Sequence, residues 1–113
     1  MALPKKFRLK KKKSFDKVKR QGQIVHSPLF AVSILTGQER GPKFGFVVSK
    51  KIDKKASARN KIRRWLSEAV RNLLPQLRSD VYAVFFVKKQ IKQSNYQKIK
   101  DEIKKINRLF REK

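Results

Sequence analysis

The stretch "SARNKIRRWLSEAVRNLLP", residues 57–75, carries two patterns at once. Ile62, Trp65, Leu66, Ala69, Val70, Leu73 and Leu74 recur at spacings of three and four, the mark of an α-helix with one apolar side, and Pro75 ends it. Trp65 falls in the middle of that side and reads as core. On either flank the period changes. "KFGFVVSK", residues 43–50, reads as a strand, and "DVYAVFFV", residues 80–87, is an almost unbroken apolar run rich in β-branched and aromatic residues, as a strand covered on both faces should be. Residues 43–87 therefore form a strand, helix, strand unit, for which a right-handed crossover is the rule if the strands are parallel.

Working outward, "LFAVSILT" at 29–36 alternates Phe30, Val32 and Ile34 with Ala31, Ser33 and Leu35, a strand with one face more apolar than the other. Only the turn "TGQERGP" separates it from 43–50, so the two are expected to pair antiparallel. A further short strand fits at Ile24–His26. Before it, Ser14 as N-cap, Phe15 and Val18 on one face and Gly22 as a left-handed C-terminal residue outline a helix over 14–21. At the other end Ser94 with Gln97 resembles a capping box, followed by Tyr96, Ile99, Ile103, Ile106 and Phe110 at helical spacing. The order α-β-β-(β)-α-β-α predicts an α/β (α+β) two-layer sandwich, a small mixed sheet of about four strands packed with helices. At 113 residues this is a single domain, 1–113, in which residues 1–13 form a basic arm: a solvated tail or an ordered phosphate-binding segment.

Thirty-two Lys and Arg stand against eight Asp and Glu, a formal charge of +24. Self-repulsion on that scale destabilises a small fold, so the composition points to a polyanionic partner. No apolar run approaches the roughly 20 residues of a membrane span, and the amino terminus lacks the apolar core of a secretory signal, so a cytoplasmic protein is expected. There are no cysteines. The acids, Asp16, Glu39, Asp53, Glu68, Asp80, Asp101, Glu102 and Glu112, are scattered, and Asp101 and Glu102 diverge by about 100° on a helix. A metal-dependent hydrolase needs several carboxylates converging on the ion. With His26 the only histidine, no catalytic residue and no metal site is assigned to this chain.

On the helix of 57–75, Asn60, Arg63, Arg64, Ser67 and Arg71 fall in one arc opposite the apolar side, with Arg59 at its border and Lys61 and Glu68 on its flank. A solvated face is the ordinary meaning of a basic run. Here guanidinium predominates, which binds phosphate oxygens through two parallel hydrogen bonds as an ammonium cannot. Asn60 adds an amide that donates and accepts. The cluster also opens the helix, where free backbone N–H groups favour anions. The reading is a surface for RNA or DNA phosphates. A structural RNA-binding protein, a self-sufficient nuclease and a polybasic membrane-surface protein are the alternatives. The scattered acids disfavour the second, and the third is disfavoured because the apolar side of this helix is needed for the core.

"FGFVVSKK" at 44–51 followed by "ASARNKIRRWL" at 56–66, with "FRLKKKKSFDKV" at 7–18, resembles the protein component of bacterial ribonuclease P. The resemblance implies a fold like the second domain of ribosomal protein S5, with a left-handed crossover against the usual rule. It further implies a catalytic RNA as partner and Mg²⁺-dependent removal of the 5′ leader from precursor tRNA, the Mg²⁺ held mainly by the partner RNA. One protein per RNA and no membrane are expected. Arg59, Asn60, Lys61, Arg63 and Arg64 match the signature that contacts the catalytic RNA, and Arg71 compensates for Ser67 where a basic residue is frequent. Phe15, Lys50 and Lys51 match leader-binding positions, joined by Lys10, Lys11 and Ser33. For Phe15, core packing is an equal reading. The chain departs from the family at Lys19 and Ser33, where cleft aromatics are common, and at Asp53, where Gly is usual. Fewer stacking platforms imply leader binding that leans on phosphates and falls steeply with salt.

Overall fold

The computed structural model describes residues 4–37, 42–72 and 80–106. Seven regular elements follow one another: α1 (Lys12–Gln21), β1 (Gln23–His26), β2 (Phe30–Leu35), β3 (Lys43–Val47), α2 (Ala56–Arg71), β4 (Tyr82–Val87) and α3 (Tyr96–Ile106), with short 3₁₀ turns at Lys5–Phe7 and Lys89–Gln93. The four strands form one mixed sheet in the order β1-β2-β4-β3. β2 pairs antiparallel with β1 and with β4, while β3 runs parallel to β4.

β3 thus runs antiparallel to β2, as its short link suggested, but the two are not neighbours and form no hairpin. β4 lies between β2 and β3, and Val81, Ala83, Val84 and Phe85 are all fully buried, as in a strand covered on both faces by the layers packed on the sheet. The alternation read in β2 does hold. Phe30, Val32 and Ile34 join Phe85, Ala83 and Phe44 in the main core, where Ile62, Leu66, Ala69 and Val70 of α2 and Ile99, Ile103 and Ile106 of α3 close over them. Phe30 meets Phe85 edge-on at 5.2 Å between ring centroids. Val18 of α1, Leu9 and Val84 make a smaller core on the opposite face. The sheet thus separates α1 from α2 and α3.

Helix ends differ from their sequence reading. α1 starts at Lys12 rather than at Ser14, with Lys11 in extended conformation and no side-chain cap, because the chain ahead of it is already held: Leu9 is buried and its N–H donates to Phe44 O at 2.8 Å. Residues 8 and 9 therefore run beside β3, and the described part of the basic arm is packed onto the sheet. Gly22 is extended (φ −75°), not left-handed. It is small because a Cβ there would collide with Ser33 Oγ and Val18 O. At α3, Asn95 rather than Ser94 caps, its Oδ1 accepting from Lys98 N at 3.0 Å. Gly37, just after β2, does take positive φ (77°). Leu73, Leu74, Pro75 and Phe110 lie outside the described residues.

Candidate nucleic-acid interface

The apolar side of α2 is fixed by the core, so its opposite side faces outward. Asn60, Lys61, Arg64 and Arg71 are exposed, and Arg59 and Arg63 are half-buried. Ser67, assigned to the polar arc, points inward: it is fully buried and donates to Arg63 O at 2.8 Å. The one acid on this helix, Glu68, reaches Arg71 at 3.7 Å, leaving the rest of the face uncompensated.

The four guanidiniums differ in what they do. Arg64 makes no hydrogen bond or ion pair among the described residues. Arg63 donates to Asn60 Oδ1 at 2.9 Å and reaches Val48 O at 3.5 Å, which sets the amide and guanidinium side by side. Arg59 donates to the carbonyls of Asp53 (3.0 Å) and Lys54 (2.9 Å), tying the preceding loop to the helix. Asp53, the departure at the loop, organises it from the other side. Its carboxylate accepts from Lys55 N at 3.0 Å and pairs with Lys92 at 3.5 Å. The Lys55 N–H and the Lys92 charge hold its pKa below the ordinary 3.8. Lys61 lies over the half-buried Trp65 ring at 4.9 Å.

A second surface lies on the other face of the sheet. Cross-strand partners share a face, so Ile24, Ser33, Val84 and Gly45 make one row across all four strands. α1 lies along it: the Phe15 ring sits on Gly45, where a Cβ would collide with it, Val18 packs on Val84, and Ser33 Oγ donates to Val18 O at 2.7 Å. On one side of the helix the next row, His26, Ala31, Phe86 and Val47, is left open. Ala31 and Phe86 are half-buried and Val47 is 37 % exposed. The result is a groove with an apolar, partly aromatic floor between α1 and the ends of β3 and β4. Lys19, about 40° around the helix from Phe15, flanks it. Exposed Lys50 and Lys51 follow β3 at its rim, and Lys88 is fixed at its far end by bonds to Ser27 O (2.8 Å) and His26 Nδ1 (3.4 Å).

Of the six residues assigned to the leader, Phe15, Lys50 and Lys51 meet around this groove. Ser33 does not, since it is 1 % exposed beneath α1 with its hydroxyl spent on the helix backbone. Lys10 and Lys11 line a different cleft, on the other flank of α1 with Ser14, Lys43 and Tyr82. Phe86 and Ala31 escaped the sequence reading, because a strand apolar on both faces gives no sign of which residues a crossing helix leaves uncovered. Among the described residues no three His, Asp or Glu side chains come together as a group that could hold a metal ion. Among them, too, no helix is long and apolar enough to cross a membrane.

Guanidiniums displayed on one face and a cation-rimmed groove on the other define a small α/β RNA-binding protein. The family model for ribonuclease P matches residues 3–111. A ribonuclease P protein component from Picosynechococcus sp. is 32% identical over 106 residues, covering 94% of this chain and 91% of its own. One from Dictyoglomus turgidum is 37% identical over 106 residues, covering 91% and 87%. Among solved structures, the Staphylococcus aureus ribonuclease P protein superposes with a TM-score of 0.75 at 26% identity over 100% of this chain and 98% of that one. The Thermotoga maritima protein gives 0.79 at 20% identity over 93% and 98%. The chain belongs to the ribonuclease P protein family, the protein subunit of a ribonucleoprotein endoribonuclease that processes tRNA.

Proposed function

We propose that this subunit docks ribonuclease P RNA on the outward side of α2 and holds the 5′ leader of precursor tRNA in the groove beside α1, one protein per RNA, in the cytoplasm. The observation that carries this division is the sheet itself, which places α2 and α1 on opposite faces, so that two RNA segments bind without competing for surface. The two surfaces also differ in chemistry. α2 offers guanidiniums and an amide, suited to phosphates and riboses. The groove offers Phe15 and Phe86 as a floor for bases and Lys19, Lys50, Lys51 and Lys88 for the backbone, the combination that binds a single strand with little sequence preference. The metal falls to the RNA, whose phosphates supply the oxygens that the scattered acids of this chain do not.

Adding the purified chain to ribonuclease P RNA and precursor tRNA at low Mg²⁺ tests the reading. Stimulated cleavage at the 5′ end is expected, and the chain without RNA should cut nothing. Cleavage by the chain alone, or no stimulation, would overturn it; the latter is what a purely structural RNA-binding protein predicts.

A further inference from the structure

α1 divides its face of the sheet in two, and the half away from Phe86 is also a cleft, of about 460 Å³. Its walls include Lys5, Lys6, Arg8, Lys10, Lys11 and Lys43, and none of the described residues lining it is a carboxylate. Three separate segments supply these cations: the 3₁₀ turn and strand-like residues ahead of α1, the entry to the helix, and the start of β3. A solvated tail would spread such charges apart. Here packing gathers them, since Leu9 is buried and bonded to Phe44 O, and Arg8 bridges to β3. The Nε of Arg8 is buried and donates to nothing in the described protein. An N–H of a guanidinium that has lost water without gaining an acceptor is costly, and an anion beside that charged group offsets part of the cost. Ser14 and Tyr82 place hydroxyl-bearing side chains on the same walls.

We propose that this cleft is a third anion site, separate from the α2 surface and from the groove, and that it takes closely spaced phosphate groups. Its chemistry separates it from the groove across the helix. The groove has an aromatic floor for bases, whereas the cleft concentrates six cations around a space that holds more than one phosphate. It is accordingly blind to sequence, a clamp for a backbone or a free polyphosphate. The proposal does not rest on assigning the leader to the groove, and its first test contains no RNA.

Inorganic pyrophosphate is titrated into the full chain while backbone amide resonances are followed. Saturable shifts at Arg8, Leu9, Lys43 and Tyr82 are expected. The variant Lys6→Gln/Lys10→Gln/Lys43→Gln should bind pyrophosphate at least about tenfold more weakly, as loss of charge-assisted contacts requires. Lys89→Gln/Lys98→Gln/Lys104→Gln lowers net charge equally at exposed positions elsewhere and should change affinity less than about twofold. Circular dichroism verifies that both variants fold. Equal losses in the two variants, or shifts scattered over α2 and α3, would sink the proposal. Binding to ribonuclease P RNA then identifies the source of the phosphates. Affinity lost in the cleft variant, with a salt slope reduced by about 2 to 3, assigns them to RNA. Unchanged RNA affinity beside lost pyrophosphate affinity assigns them to a free polyphosphate.

Discussion

Replacing Arg64 by alanine removes a guanidinium that is exposed and bonded to nothing in the described protein, so the change separates recognition from folding. Stability should stay within about 0.5 kcal/mol of the parent, the ordinary range for a surface position free of partners. If Arg64 holds one phosphate of the catalytic RNA, the lost charge-assisted contact is worth about 1.5–3 kcal/mol, or roughly 10- to 150-fold in affinity. The slope of log affinity against log salt should fall in magnitude by about 0.9 for a duplex phosphate and about 0.7 for a single strand. Arg64→Lys keeps the charge and loses the planar fork; it should preserve the slope while giving back only part of the affinity. Filter binding of ribonuclease P RNA over roughly 50 to 400 mM salt reads both quantities. Parent-like affinity and slope in Arg64→Ala would refute the docking surface. Arg63→Ala and Arg59→Ala are poorer probes, because Arg63 holds Asn60 and Arg59 holds the loop at Asp53 and Lys54.

Three further outcomes test other parts of the structure. Gly22→Ala must push α1 away from β2, because the new methyl meets Ser33 and the backbone of Val18; chemical denaturation should show a loss of about 1–3 kcal/mol, and an unchanged midpoint would contradict the close approach. Phe15→Leu keeps an apolar cover on Gly45 but removes the ring, so precursor with a leader should lose about 1–3 kcal/mol of affinity while substrate without one binds as before. Equal losses for both substrates would assign Phe15 to packing alone. Because the folded state depresses the Asp53 pKa, its contribution is complete above the ordinary carboxylate value of 3.8 and disappears as pH falls through the lower folded value. The difference in stability between the parent and Asp53→Asn should therefore shrink on acidification below pH 3.8; a difference that grows instead would contradict the assigned direction.

The sequence made the helices and strands legible wherever a side chain's period reports burial, and it concealed what depends on long-range pairing. Both faces of "VYAVFFV" are apolar, which marked a strand covered on both faces but not its place in the sheet; the short link from 36 to 42 suggested that its two flanking strands are neighbours, since proximity in sequence says nothing about a strand that arrives later. The arc on α2 was readable because the core fixes its rotation, with Ser67 misplaced because its hydroxyl is satisfied by the carbonyl of Arg63 in its own helix and so tolerates burial. Ser33 and Gly22 misled together. Each is small or polar for the same local reason, the close crossing of α1 over β2, and neither a ligand nor a left-handed turn is involved. The groove was half visible: Phe15 is in the opening motif, whereas Phe86 is singled out only by where α1 lies. The second basic cleft was legible only as a basic run open to two readings, a solvated tail or an ordered phosphate-binding segment, until the fold places Lys43 and Tyr82 opposite its lysines.

The insertion of β4 between β2 and β3 also bears on how the chain comes into being. On the ribosome, β2 has only β1 to pair with and β3 only the segment at Arg8 and Leu9, and the strand that joins them begins 35 residues after β3 ends, several seconds at ordinary elongation rates. Until then two apolar ribbons and a dense run of cations hang beside the ribosome's own RNA, so maturation has to be late, nearly all at once, and exposed to capture by chaperones or stray nucleic acid.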